Sequence, residues 1–132
     1  MLRTFGLSHI ALAVRDLDRA FGFYHTLLGA EEVYRKPDFL QVQTPGSHDV
    51  IVFEPLPESA GKPGGIIHFG FRLQDPADIH AAAQKVIEGG GQIKEQGEFA
   101  PGIPFLFAID PDGYEIEIWW EPPTHLEHST AD

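Results

Sequence analysis

The sequence predicts an α+β fold made of two βαβββ modules, residues 5–54 and 66–121, within a single domain spanning 1–132. Three observations carry that prediction. The order strand, capped helix, three short strands is written twice; a Pro/Gly-rich stretch, 55–65, separates the copies; and a His occupies the same place in both opening strands. His9 lies seven residues before Asp16 and His68 seven before Asp75, so both pairs are offset by 59 residues. Self-similarity at that period marks a duplicated supersecondary unit.

Each element follows from local chemistry. Leu7 to Val14, L-S-H-I-A-L-A-V, alternates in the manner of a half-buried strand. Asp16 can cap the helix that follows, and Gly29 can end it in a left-handed conformation. Leu17, Ala20, Phe21, Tyr24, Leu27 and Leu28 recur at helical spacing and predict its buried stripe. Strands are expected at 31–36, 39–44 and 49–54. The second copy opens with the strand I-I-H-F-G-F-R-L, 66–73, then a helix capped by Asp75 with Pro76 at its first position, stopped by Gly89-Gly90-Gly91. Strands near 92–96, 105–109 and 114–120 complete it, the last two joined by a tight Asp110-Pro111-Asp112-Gly113 turn. Glu98 to Pro104 reads as a loop of the kind that covers a cavity, with Phe99 either its lid residue or its anchor.

Composition narrows the function classes. Twenty acidic against nine basic residues give a formal net charge of -11, which repels nucleic-acid and anionic-membrane phosphates. No apolar run is long enough to span a bilayer, and no signal-peptide pattern opens the chain; a cytoplasmic location is expected. With no Cys, thiolate ligands and Cys nucleophiles are excluded.

Alternation sorts the side chains onto faces. His9 shares one with Ala11 and Ala13, and His68 shares one with Gly70 and Arg72, opposite the bulky aliphatic residues that bed the helices. Glu117 and Trp119 lie opposite Ile116 and Ile118 in the last strand. Symmetry brings the two sheets toward each other, with His9 and His68 near the pseudo-twofold axis. Two imidazoles and a carboxylate in such a hollow suit Fe(II), Mn(II), Ni(II), Co(II) or Zn(II).

The stretches S-H-I-A-L-A-V-R-D-L-D-R-A-F-G-F-Y-H-T-L-L-G, I-I-H-F-G-F-R-L and D-P-D-G-Y-E-I-E resemble the vicinal oxygen chelate superfamily, which unites glyoxalases, bleomycin-resistance proteins and extradiol dioxygenases. The resemblance implies paired half-barrel sheets, a homodimer, a small-molecule substrate and a divalent metal on His9, His68 and Glu117. Two His and one carboxylate favour Fe(II) and a dioxygenase-like reaction. A glyoxalase-type lyase or isomerase is the first alternative; its fourth ligand falls on Val52, with Glu54 two residues beyond on the same face. The second alternative is a metal-free drug-sequestering protein. Extradiol enzymes carry a Tyr where this chain has Phe107. Fosfomycin-resistance transferases carry a Thr at the position of Ala11 and a basic cluster that is missing after Glu98. Arg72, Phe107, Trp119, Phe99 and Val52 are the expected substrate-facing residues. Arg72 could clamp a substrate carboxylate or pair with one of the chain's own acids, and the modules could pair within a chain or across a dimer.

Overall fold

A computed structural model describes residues 1–127. The first module contains β1 (His9–Val14), α1 (Leu17–Leu28), β2 (Glu31–Lys36), β3 (Phe39–Gln43) and β4 (Val50–Pro55). The second contains β5 (Phe69–Arg72), α2 (Ile79–Glu88), β6 (Gln92–Ala100), β7 (Ile103–Ile109) and β8 (Glu115–Trp119). The strands form two four-stranded sheets of matching topology, β1-β4-β3-β2 and β5-β8-β7-β6. In each, the first and last strands of the module pair in parallel, and the remaining contacts are antiparallel.

The boundaries follow the caps. Asp16 accepts the Arg19 N–H and opens α1, and Gly29, at φ 70°, closes it. Asp75 caps a short 3-10 turn, Pro76–Asp78, and α2 starts one turn later than the Pro suggests. β5 is shorter than its sequence pattern. It pairs with β8 from Phe69↔Ile116 onward, leaving no partner strand for Ile66 or Ile67. Ile67, expected on the core side, is therefore 81% exposed. Glu98–Pro104 is not a covering loop: β6 and β7 stay paired to Ala100↔Ile103, and only a tight Pro101-Gly102 turn separates them.

One hydrophobic core serves both modules. The inward residues of β1, β3 and β4 (Leu12, Val14, Leu40, Val42, Ile51, Phe53) and those of β7 and β8 (Leu106, Ala108, Ile116, Ile118) belong to one buried cluster with both helices. Phe23, outside the predicted stripe, is fully buried because α1 also faces the second module. The glycine run after α2 makes room for it. A Cβ on Gly91 would stand 2.7 Å from the Phe23 ring, and one on Gly89 would stand 3.0 Å away.

The Asp110–Gly113 turn fastens the modules together. Asp110 accepts the Tyr24 hydroxyl at 2.7 Å and the backbone N–H groups of Asp112, Gly113 and Tyr114. Asp112 accepts the Arg15 N–H and the Arg19 guanidinium, both at 2.9 Å, while Tyr114 donates to the Ala13 carbonyl. The 55–65 stretch is docked on the same turn. Ala60 is buried, and Gly61 (φ +79°) passes so close that a Cβ would lie 2.3 Å from the Asp112 carbonyl oxygen.

Candidate metal centre

The sheet faces turned away from the core carry the polar and small residues that alternation assigned to them. On the first sheet, His9, Ala11, Val52, Gln41 and Glu54 line one trough with Phe39, Ser8 and Val50. Parallel register places His9 beside Val50, Ala11 beside Val52 and Ala13 beside Glu54. Ser8 Oγ lies 2.8 Å from His9 Nδ1, a contact that orients the ring and leaves its Nε2 as the nitrogen not engaged by Ser8. Val52 is 8% exposed, so the predicted fourth-ligand position is apolar trough wall. Glu54 is exposed four rungs beyond His9, beside Ala13 and next to Pro55 where β4 ends.

On the second sheet, Gly70, Glu117 and Phe107 share one rung. His68 precedes β5 and hangs over this rung, with Nε2 3.5 Å from Glu117 Oε1 and its ring T-shaped against Phe107 at 5.1 Å. Glu115 approaches the other nitrogen of His68 at 3.8 Å and also pairs with Lys94. Glu115 thus stands near one nitrogen of the imidazole and Glu117 near the other. Partial burial pushes the Glu117 carboxyl above the ordinary Glu value, and the neighbouring His68 pulls it back down. Gly70 is required by this crowding: a Cβ there would meet Glu117 at 2.9 Å (carbonyl oxygen) and 3.2 Å (Cβ). Replacing Gly70 with Val is expected to cost about 1–3 kcal/mol through the forced separation of β5 and β8, measurable by urea unfolding.

The third candidate residue lies apart from the other two within the chain. His68 and Glu117 come together, while His9 stands on the other sheet. Among the described residues, no three His, Asp or Glu side chains gather into a metal cluster within one chain. Within one chain the three candidate residues therefore do not meet: His68 and Glu117 share the second sheet's face, and His9 stands on the first. The nitrogen–oxygen pair on the second face and the braced imidazole on the first both suit a borderline divalent ion, so the donor chemistry fits.

The other expected contacts divide similarly. Trp119 lies on the Glu117 face, paired across the strands with Arg72 and Phe105. Phe99 stacks on Phe105 at 4.3 Å, so it extends the aromatic wall instead of closing a lid. Arg72 does not meet Asp16 or Asp75. Its guanidinium grips both carboxylate oxygens of Glu127, and Glu121 stands 3.9 Å away. That partner was missed because it lies 55 residues away in a segment without periodicity. Of the helical histidines, His25 is held by the Ala30 carbonyl at 2.9 Å.

A duplicated βαβββ chain with two matching four-stranded sheets, one His opening β1 and another just before β5, defines the fold class. The chain belongs to the Glyoxalase/Bleomycin resistance protein/Dioxygenase superfamily, whose profile matches residues 6–118. It is 29% identical over 130 residues to a trivalent organoarsenical cleaving enzyme from Bacillus sp. (strain MD1), covering 93% of this chain and 78% of that one. It is 28% identical over 118 residues to a manganese-dependent 2,3-dihydroxybiphenyl 1,2-dioxygenase of Geobacillus genomosp. 3. That match takes in 86% of this chain but only 36% of the dioxygenase. Among solved structures, a genomically encoded fosfomycin resistance protein, FosX, from Listeria monocytogenes superposes with a TM-score of 0.75 at 21% identity, covering 91% and 96% of the two chains. This last likeness concerns the fold. No helix among the described residues is long and apolar enough to cross a membrane.

Proposed function

We propose that this protein is a metal-dependent, dioxygenase-like enzyme that chelates a small oxygen-bearing substrate on a divalent ion held by His68 and Glu117 of one chain and His9 of a second copy. The carrying observation is the 3.5 Å approach of His68 Nε2 to Glu117 Oε1 on an open face, with Phe107 against the imidazole. The division of the ligand set between two faces supports a homodimer in which the first sheet of one copy covers the second sheet of the other. Fe(II) is favoured by the two-His-one-carboxylate set, and the likeness to a manganese-dependent dioxygenase supports Mn(II) as the next choice.

The bound ion would supply Lewis-acid polarisation of the substrate oxygens and open coordination positions. The chain itself supplies the rest. Ser8 orients His9, Glu115 adds negative charge beside His68, and Phe107, Trp119, Phe105 and Phe99 give the second face an aromatic wall. Val52 and Ala11 give the His9 trough an apolar floor among Ser8, Gln41 and Glu54.

The reading is tested by elemental analysis of protein purified without chelator, followed by oxygen uptake with Fe(II)-loaded protein and vicinal diols or enolisable acids. About one transition-metal ion per chain is expected, falling to under about a tenth in Glu117→Gln, where the anionic ligand is lost. A metal-free parent protein would favour the sequestration alternative. The glyoxalase-type alternative rests on Glu54, which lines the His9 trough. It gains support only if Glu54→Gln also releases the metal.

A further inference from the structure

Arg72 is a cation on the proposed catalytic face that the reaction chemistry has not used. Register places it beside Trp119, two residues along the strand from Gly70, which shares the Glu117 rung. Two residues of extended chain span about 6–7 Å, so a guanidinium there can reach a molecule that also touches the His68–Glu117 pair. Its present occupant is informative. Glu127 offers both carboxylate oxygens to the two terminal nitrogens, the fork-on-fork geometry by which Arg selects planar carboxylates.

The segment that delivers Glu127 is folded back for the purpose. Glu127 N–H bonds to the Thr124 carbonyl and Thr124 N–H to the Glu127 carboxylate, both at 3.1 Å, closing a compact turn after β8. The pair is only partly shielded, with Arg72 37% and Glu127 32% exposed, so it adds little to fold stability and can be opened.

We propose that Arg72 is the carboxylate anchor of the active face, that the substrate is a small oxygen-bearing acid, and that Glu127 occupies the anchor as a tethered stand-in which the substrate displaces. The orientation of such an acid, carboxylate on Arg72 and chelating oxygens toward His68 and Glu117, rests on the metal reading; the anion subsite does not. Carboxylate is preferred to phosphonate because one guanidinium stands here among Glu117, Glu121 and Glu127, with Lys94 already paired to Glu115, too little free positive charge for a dianion. Acid does not open the strap in the working range. Arg72 holds the Glu127 carboxyl down to about 2, so the anionic form persists from neutral pH to well below the ordinary Glu value. Competing anions are the physiological means of release.

The test uses the intact protein, treated with chelator, labelled with ¹⁵N and titrated with sodium propionate while the Arg72 Nε–H and Trp119 indole signals are followed. Arg72→Gln and Trp119→Phe assign the peaks. Parent protein is expected to bind weakly and Glu127→Gln about three- to tenfold more tightly, because the tethered competitor is gone. The double variant E121Q/E127Q should bind at least as tightly, R72Q should not respond, and propionamide and methylphosphonate should bind several-fold more weakly than propionate. Equal propionate affinity in parent and E127Q, or an undiminished response in R72Q, would overturn the proposal. The titration is run on chelated protein, so it does not test the metal reading; protein purified without chelator that holds no metal, yet binds propionate in this titration, would sink that reading and leave this one standing.

Discussion

Mixing His9→Ala protein with His68→Ala protein is expected to restore metal binding that neither variant shows alone. If each site takes His9 from one copy and His68 with Glu117 from the other, a mixed dimer has one site missing both imidazoles and one site intact. Random re-pairing makes about half the dimers mixed, so the mixture should hold about a quarter of the parental metal, against almost none for either variant. The effect is large because removing one of three protein ligands weakens borderline-metal binding by orders of magnitude. The measurement is metal content after co-unfolding and refolding the variants together, with each refolded separately as the control. A site assembled within one chain would give no recovery, since every chain would carry one broken ligand. Parental metal in His9→Ala alone would remove His9 from the set.

This experiment addresses the point at which sequence reasoning ran out. Matched histidines, a D-P-D-G turn and strict alternation were enough to place His9, His68 and Glu117 on outward faces, because face assignment depends only on local period. Helix limits were legible for the same reason: Asp16 and Gly29 satisfy backbone groups within a few residues of themselves. Which faces meet is a property of packing between modules, and periodicity carries no information about it. The same limit explains Phe23, whose burial arises from α2 and the glycines after it. It also explains Glu127, whose contact with Arg72 spans 55 residues. β5 is shorter than its sequence pattern because Ile66 and Ile67 have strand character but no pairing partner, β8 beginning only after the turn.

The turn itself supports the second large effect. Asp110→Ala is expected to destabilise the fold by on the order of 3–5 kcal/mol, read from urea midpoints. It strands the Tyr24 hydroxyl and the N–H groups of Asp112 and Tyr114 in a buried setting, and it loosens the tie between α1 and β8. Asp110→Asn separates geometry from charge. Its amide oxygen can still receive the backbone donors, and the Tyr24 hydroxyl can rotate to accept from the amide nitrogen; a change within about 1 kcal/mol is expected. Burial pushes the Asp110 carboxyl above its ordinary value despite the donors that pull it down. The folded state therefore binds that proton more tightly than the unfolded chain. Asp110's contribution to stability must fall as pH rises from the ordinary Asp value through the raised one, and the Asn variant should lack that component. Equal losses for Ala and Asn at neutral pH would mean that the ionised carboxylate, rather than its hydrogen-bond geometry, holds the modules together. Because Tyr24 lies in α1 of the first module and Glu117 seven residues beyond Asp110 in the second, a loosened turn should also lower metal occupancy in Asp110→Ala while Asn retains it.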